Sequence, residues 1–146
     1  MKSLIQVVEE AEVKVDSEVT GSISRGMLIF LGVKDGDGKA QVEDMAAKVL
    51  GLRIFPDEEG KMNLSVRDVG GEILVISQFT LYGRINSGRR PGFSEAGSYE
   101  ESKELYRDFI SELKLNHKEA VESGSFGSHM MVNLTNDGPI TFLVES

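Results

Sequence analysis

The run Met27-Leu28-Ile29-Phe30-Leu31-Gly32-Val33 constrains this chain most, because it is apolar in both alternating registers and offers water no polar face. A strand of that kind belongs at the centre of a sheet, covered on both sides. Ile73-Leu74-Val75-Ile76 repeats the pattern and ends in the polar stretch Ser77-Gln78-Phe79-Thr80-Leu81, an unusual finish for a buried strand. The fold must supply cover for two such strands.

Two segments have the periodicity to provide it. Val42, Met45, Ala46, Val49 and Leu50 recur at helical spacing, with Gly51 where a helix would end. Ser98-Tyr99-Glu100-Glu101 has the pattern of a capping box, and Leu105, Tyr106, Phe109, Ile110 and Leu113 form the apolar stripe of a helix predicted to run to about Lys114. The remaining apolar segments read as strands. Leu4 to Val8 and Ala11 to Val15 precede a turn at Asp16-Ser17-Glu18, and Val19 to Ile23 returns. Leu52 to Phe55, Lys61 to Ser65 and Lys118 to Val121 are short extended pieces. Met130 to Thr135 and Ile140 to Val144 flank Asn136-Asp137-Gly138-Pro139. The sum is seven to nine strands and two main helices, mostly antiparallel because the turns are short. The expected fold class is therefore α+β, a compact, barrel-like sheet with both helices on one side. The 146 residues fit a single domain spanning 1–146.

The chain has no cysteine, which removes thiol nucleophiles, thiolate metal sites and disulfides, and agrees with a cytoplasmic setting. There is no apolar run of membrane-spanning length, so no membrane partner is expected. A formal charge of −8 opposes broad phosphate binding, so no DNA partner is expected and any nucleic-acid contact must be local. One place stands out. Arg84, Arg89 and Arg90 lie in an irregular segment, Tyr82 to Gly97, and no acidic residue occurs between Glu72 and Glu95. His117 and His129 have no triad-like pattern around them and read as structural or surface histidines. The aspartates around Lys34-Asp35-Gly36-Asp37-Gly38 lack the spacing of a phosphate or calcium loop.

What remains for chemistry is hydroxyls, amides and main-chain groups, concentrated in Ser77 to Leu81 and Asn136 to Thr141. The Asn-Asp-Gly-Pro sequence makes a good hairpin turn. It could also aim bare carbonyl oxygens at a ligand, since an X-Pro bond adopts the cis form at a cost of only about 0.5–1 kcal/mol and glycine shields nothing.

Ser77-Gln78-Phe79-Thr80-Leu81 together with Asn136-x-Gly138-Pro139-x-Thr141 resembles the paired SQxxL and NxGPxT motifs of the D-aminoacyl-tRNA deacylases. Leu52 to Phe55, Gly60 to Ser65, Asp68 to Gly71 and Gly124-x-Phe126-Gly127 fall in the same family order. The resemblance implies a homodimer that hydrolyses the ester between a D-amino acid and the 3′ end of tRNA, with glycyl-tRNA as a further substrate and no cofactor or metal. It implies catalytic roles for Ser77, Gln78, Phe79 and Thr80, with the main-chain N–H groups near Phe79 and Thr80 stabilising an oxyanion. Leu81, Met131, Asn136, Gly138, Pro139 and Thr141 would bind substrate and select its handedness. In that scheme a cis Gly138-Pro139 segment reaches the partner's site and its carbonyls exclude L-amino acids. Arg84, Arg89 and Arg90 would contact tRNA phosphates. The chain departs from the family at Val7, where an Arg that helps hold the Gly-Pro segment is common, and within Gly83 to Gly92. Two alternatives stand beside this reading: a non-catalytic module binding the tRNA 3′ end, and an editing domain for mischarged L-aminoacyl-tRNA.

Overall fold

A computed structural model describes residues 1–85 and 88–146, so the expectation for Gly83 to Gly92 lies partly outside the described residues. The chain forms β1 (Lys2–Val15), β2 (Glu18–Ile23), β3 (Gly26–Gly32), α1 (Lys39–Gly51), β4 (Phe55–Pro56), β5 (Met62–Leu64), β6 (Glu72–Ser77), a 3-10 turn at Phe79–Tyr82, α2 (Tyr99–Asn116), β7 (Val121–Ser123) and β8 (Met131–Glu145). The main sheet runs β2-β1-β3-β6-β7, with β8 pairing along β1, and β4 and β5 form a small separate ribbon.

The two apolar runs lie at the centre, β3 beside β6. Their alternate side chains enter two different cores. Met27, Ile29, Leu31, Ile73 and Val75 meet the buried faces of α1 and α2, while Leu28, Leu74 and Ile76 join Val8, Ala11, Val13 and Ile23 on the other side. Both helices thus cover one face, and the curl of the sheet closes the other. The pairing of β3 with β6 and of β6 with β7 is parallel, whereas β1 is antiparallel to β2, β3 and β8. Parallel neighbours need a long crossover, and each of these contains a helix. The mostly antiparallel expectation holds for β1 and fails at the centre, because it was drawn from the short turns alone.

Leu4–Val8 and Ala11–Val15 turn out to be one strand. Between Val8 and Glu10, β1 spends two steps where β8 spends one, Asn136 to Thr135. Val7 and Val8 point to opposite faces, into the first and second cores, and the bulge at the exposed Glu9 and Glu10 lets Ala11, three residues beyond Val8, face the second core as well. The turn into β2 has Asp16 and Ser17 at φ 49° and 71°, matching the twist of a two-residue hairpin. β8 is likewise a single strand running through the Asn-Asp-Gly-Pro stretch, which rules out the hairpin reading for that segment. The strand reading of Leu52 to Phe55 reduces to Phe55–Pro56, and that of Lys118 to Val121 shifts to Val121–Ser123.

Candidate functional site

At the end of β6 the chain leaves the core at Ser77 and folds at once into the 3-10 turn. The turn can pack against the end of β3 because position 32 is glycine: a Cβ there would lie 3.1 Å from the Gln78 carbonyl oxygen, 3.2 Å from the Tyr82 ring and 3.3 Å from the Leu81 Cβ. Tyr82 is buried beneath the turn, with the Lys2 ammonium 5.0 Å from its ring centre. Burial pushes the Tyr82 phenol pKa up, with the Asp37 carboxylate adding to it, so Tyr82 stays neutral and acts as a support.

In front of this turn lies a cleft of about 570 Å³, within the range of small-molecule sites. Ser77, Gln78 and Phe79 line one side. Another part of the lining is aromatic: Phe126 packs edge-on against Tyr99 at 5.3 Å and tilted against Tyr106 at 5.5 Å. The Tyr106 hydroxyl donates to the Val75 carbonyl at 2.8 Å, and burial raises its pKa, so this wall is fixed and uncharged. His129 is the one histidine among the lining residues.

The Gln78 carboxamide donates to the Thr80 hydroxyl. An amide N–H cannot accept a proton, so this contact orients Thr80 without activating it as a nucleophile. Gln78 N–H is spent on the Leu31 carbonyl at 2.8 Å, while the N–H groups of Phe79 and Thr80, at the open start of the turn, meet no carbonyl among the described residues. They are donors available to a ligand.

Of the sequence-derived candidates, Ser77, Gln78 and Phe79 are brought together at the cleft, with Thr80 beside them, and Leu81 packs toward Gly32. Met131 does not line this cleft. Side chains alternate along a strand, so Met130 and Val132 face the cleft while Met131 points away and is 61 % exposed. Asn136, Gly138, Pro139 and Thr141 do not line it either. Gln6 pairs with Thr141 and Val13 with Val132, which puts the Gly-Pro segment roughly 20 Å along β1 from the cleft. The Gly138-Pro139 peptide is cis. Arg89 and Arg90 are exposed, but Arg84 is not the free cation the sequence suggested. Its guanidinium forms a two-pronged pair with Glu95, at 2.7 and 3.1 Å. That bond holds the Glu95 carboxyl below its usual range and, with mutual backbone bonds between Arg84 and Gly92, ties off the base of the loop.

His117 is structural as expected, buried with Nε2 2.8 Å from the Gly71 carbonyl oxygen. His129 is exposed, yet it lines the cleft, which the sequence reading passed over. Tyr99, Ser102, Tyr106 and Phe126 were missed as site residues because two of them fit a helix stripe or its start. Gly124-x-Phe126-Gly127 was the available signal. No group of three or more metal-binding side chains occurs among the described residues, and no helix is long and apolar enough to cross a membrane.

The family model for D-Tyr-tRNA(Tyr) deacylase matches residues 4–145, nearly the whole chain. The chain belongs to this deacylase family. Curated relatives named D-aminoacyl-tRNA deacylase include those of Chloroherpeton thalassium, 51 % identical over all of this chain and 96 % of the relative, and Thermotoga petrophila, 50 % identical over all of this chain and 97 % of the relative. A solved structure described as a c-Myc DNA unwinding element binding protein is 38 % identical, with a TM-score of 0.95 over 100 % of this chain and 99 % of that one. Another, a probable eukaryotic D-amino acid tRNA deacylase, shares the fold with a TM-score of 0.83 at 17 % identity, over 99 % and 98 % of the two chains.

Proposed function

We propose that the chain hydrolyses the ester joining a D-amino acid to the 3′-terminal adenosine of tRNA, releasing both, and that it acts as a homodimer. The observation that carries this reading, beside family membership, is the division of the two motifs. One motif supplies a cleft that no Asp, Glu, Lys or Arg lines, with free N–H donors, and the other lies about 20 Å away on the same chain. A second copy can bring the two together. β8 favours such an arrangement, since its outer edge is unpaired among the described residues and Met131 and Leu143 stand exposed on it.

In this reading the adenine lies against the aromatic wall of Tyr99, Tyr106 and Phe126, where stacking needs no charge. The ester carbonyl points at the N–H groups of Phe79 and Thr80, which hold the developing oxyanion without a titratable side chain. Water attacks, and Thr80, held by Gln78, positions it. The carbonyl oxygens of Gly138 and Pro139, delivered by the partner, sit close to the substrate Cα. They pass a hydrogen and repel the side chain of an L-amino acid, so selection acts by exclusion and is blind to which D side chain is present. Glycine escapes the filter because it has no side chain on either side. Arg89 and Arg90 meet phosphates of the acceptor end, and Arg84 shapes the loop that carries them. DNA binding, which one relative's description names, is not favoured here, because the formal charge of −8 opposes duplex association.

Purified protein incubated with tRNA charged with D-tyrosine, L-tyrosine or glycine tests the reading. Loss of the D-tyrosyl and glycyl esters with the L-tyrosyl ester intact supports it. No hydrolysis points to a module that only binds the tRNA end, and hydrolysis of the L ester to an editing role of opposite handedness.

A further inference from the structure

The Gly-Pro segment is a built feature of β8, and its neck is closed by one side chain. The β1–β8 ladder pairs Lys2 through Gln6 with Glu145 through Thr141, then resumes at Val8 opposite Asn136. β1 takes two steps across this break and β8 takes five, so three residues are in excess on β8. The Asn136 carboxamide spans the gap. Its Oδ1 accepts the Ile140 N–H at 3.0 Å, and its Nδ2 donates to the Ile140 carbonyl at 3.2 Å and reaches the Thr141 hydroxyl at 3.5 Å. A second tie comes from β1, where Gln6 Nε2 donates to the same Thr141 hydroxyl at 3.2 Å.

The carboxamide therefore stands in for a neighbouring peptide unit, satisfying both backbone groups of Ile140 where β1 cannot. Only Asp137, Gly138 and Pro139 remain between the pinned ends. A charged clamp is absent among the described residues: Asp137 enters no ion pair there, and position 7 on the adjoining stretch of β1 is a fully buried valine.

We propose that Asn136 is the positioning residue that fixes where the Gly138 and Pro139 carbonyl oxygens point, with Gln6 as its auxiliary, so that chiral selectivity in this protein depends on an amide clamp internal to β8. This rests on the reading that those oxygens judge handedness. The chemistry asks for an amide: a carboxylate at 136 keeps the acceptor for Ile140 N–H but sets a second acceptor against the Ile140 carbonyl, and alanine removes both bonds.

The test compares wild type, Asn136→Ala and Asn136→Asp for kcat/KM on D-tyrosyl- and L-tyrosyl-tRNA, together with hydrogen exchange at the Ile140 amide. Both variants are expected to lose about tenfold in the ratio of D to L hydrolysis, the consequence of one or two hydrogen bonds, while the Ile140 amide exchanges faster. The ratio does not depend on the fraction of protein that is active, so a role confined to folding leaves it unchanged. Should the Asn136 variants fail to fold, Gln6→Met removes only the outer tie and is expected to lower the ratio about threefold. Folded variants with the wild-type ratio overturn the inference alone. A wild type that does not prefer the D ester overturns the functional reading and this inference with it.

Discussion

Replacing Gly138 with alanine probes the corner most directly. Gly138 sits at φ +132°, a region that residues with a Cβ rarely adopt, and an added Cβ would lie 2.5 Å from Ile140 Cγ1 and 2.7 Å from the Ile140 nitrogen. Holding alanine in place costs about 1–3 kcal/mol for the backbone. The overlap adds about 1–3 kcal/mol, and a backbone nitrogen cannot swing aside as a side-chain tip can. Against this stand the two bonds between Asn136 and Ile140, about 0.5–1.5 kcal/mol each. Releasing them, about 1–3 kcal/mol together, is cheaper than keeping both the backbone strain and the overlap, about 2–6 kcal/mol, so the three-residue segment gives way and the rest of β8 holds. The expected outcome is a stability loss of about 1–3 kcal/mol, a drop of roughly 3–10 °C in Tm for a chain of this size. On the proposed reading a larger effect falls on selectivity, because displaced carbonyls would no longer crowd the L substituent. Urea unfolding and parallel deacylation of D- and L-tyrosyl-tRNA measure both. An alanine variant with an unchanged unfolding midpoint and undiminished exclusion of the L ester would falsify this reasoning.

Three further outcomes follow from particular contacts. Arg89→Ala with Arg90→Ala is expected to weaken tRNA binding and to make the slope of log K against log salt shallower by about 1.4–1.8, whereas Arg84→Ala, which first breaks the Glu95 pair, perturbs the loop; an unchanged slope in the double variant removes the phosphate role. Ser3 is fully buried with no partner for its hydroxyl among the described residues, so Ser3→Ala is expected to stabilise the protein by about 1 kcal/mol in urea unfolding, and a destabilised variant would show that the hydroxyl is satisfied. Asp68 accepts from the Ser65 hydroxyl at 2.7 Å and the Ser65 N–H at 2.8 Å, bonds that hold its pKa below the ordinary carboxylate value. A depressed folded pKa contributes stability above the unfolded value, about pH 4, and loses it as pH falls through the folded value. Asp68→Asn should therefore be less stable than wild type at pH 7, with the gap closing in unfolding curves taken near pH 2; a gap independent of pH contradicts the assignment.

Local pattern was enough to establish much of this protein. The runs Met27–Val33 and Ile73–Ile76 require cover on two sides whatever their partners, and the stripes behind Lys39 and Ser98 require helices with one buried face, because burial of apolar surface depends on period and not on sequence neighbours far away. The two short motifs were legible for the same reason, each being contiguous. Tertiary structure decided everything that depends on which segments meet. It made β1 one strand through a bulge, and it set β6 parallel to β3 through a helical crossover. It kept β8 one strand across a sequence that favours turning, with only a three-residue excess there, because the β1 ladder on either side outweighs a local turn preference. It turned Met131 away from the cleft and Met130 toward it, a matter of strand parity. It neutralised Arg84 with a glutamate eleven residues on. It also drew Tyr99, Tyr106 and Phe126 into one aromatic wall beside Ser77. Contacts of this kind are made across space by side chains whose own sequence surroundings say nothing of one another, and only the folded arrangement can supply them.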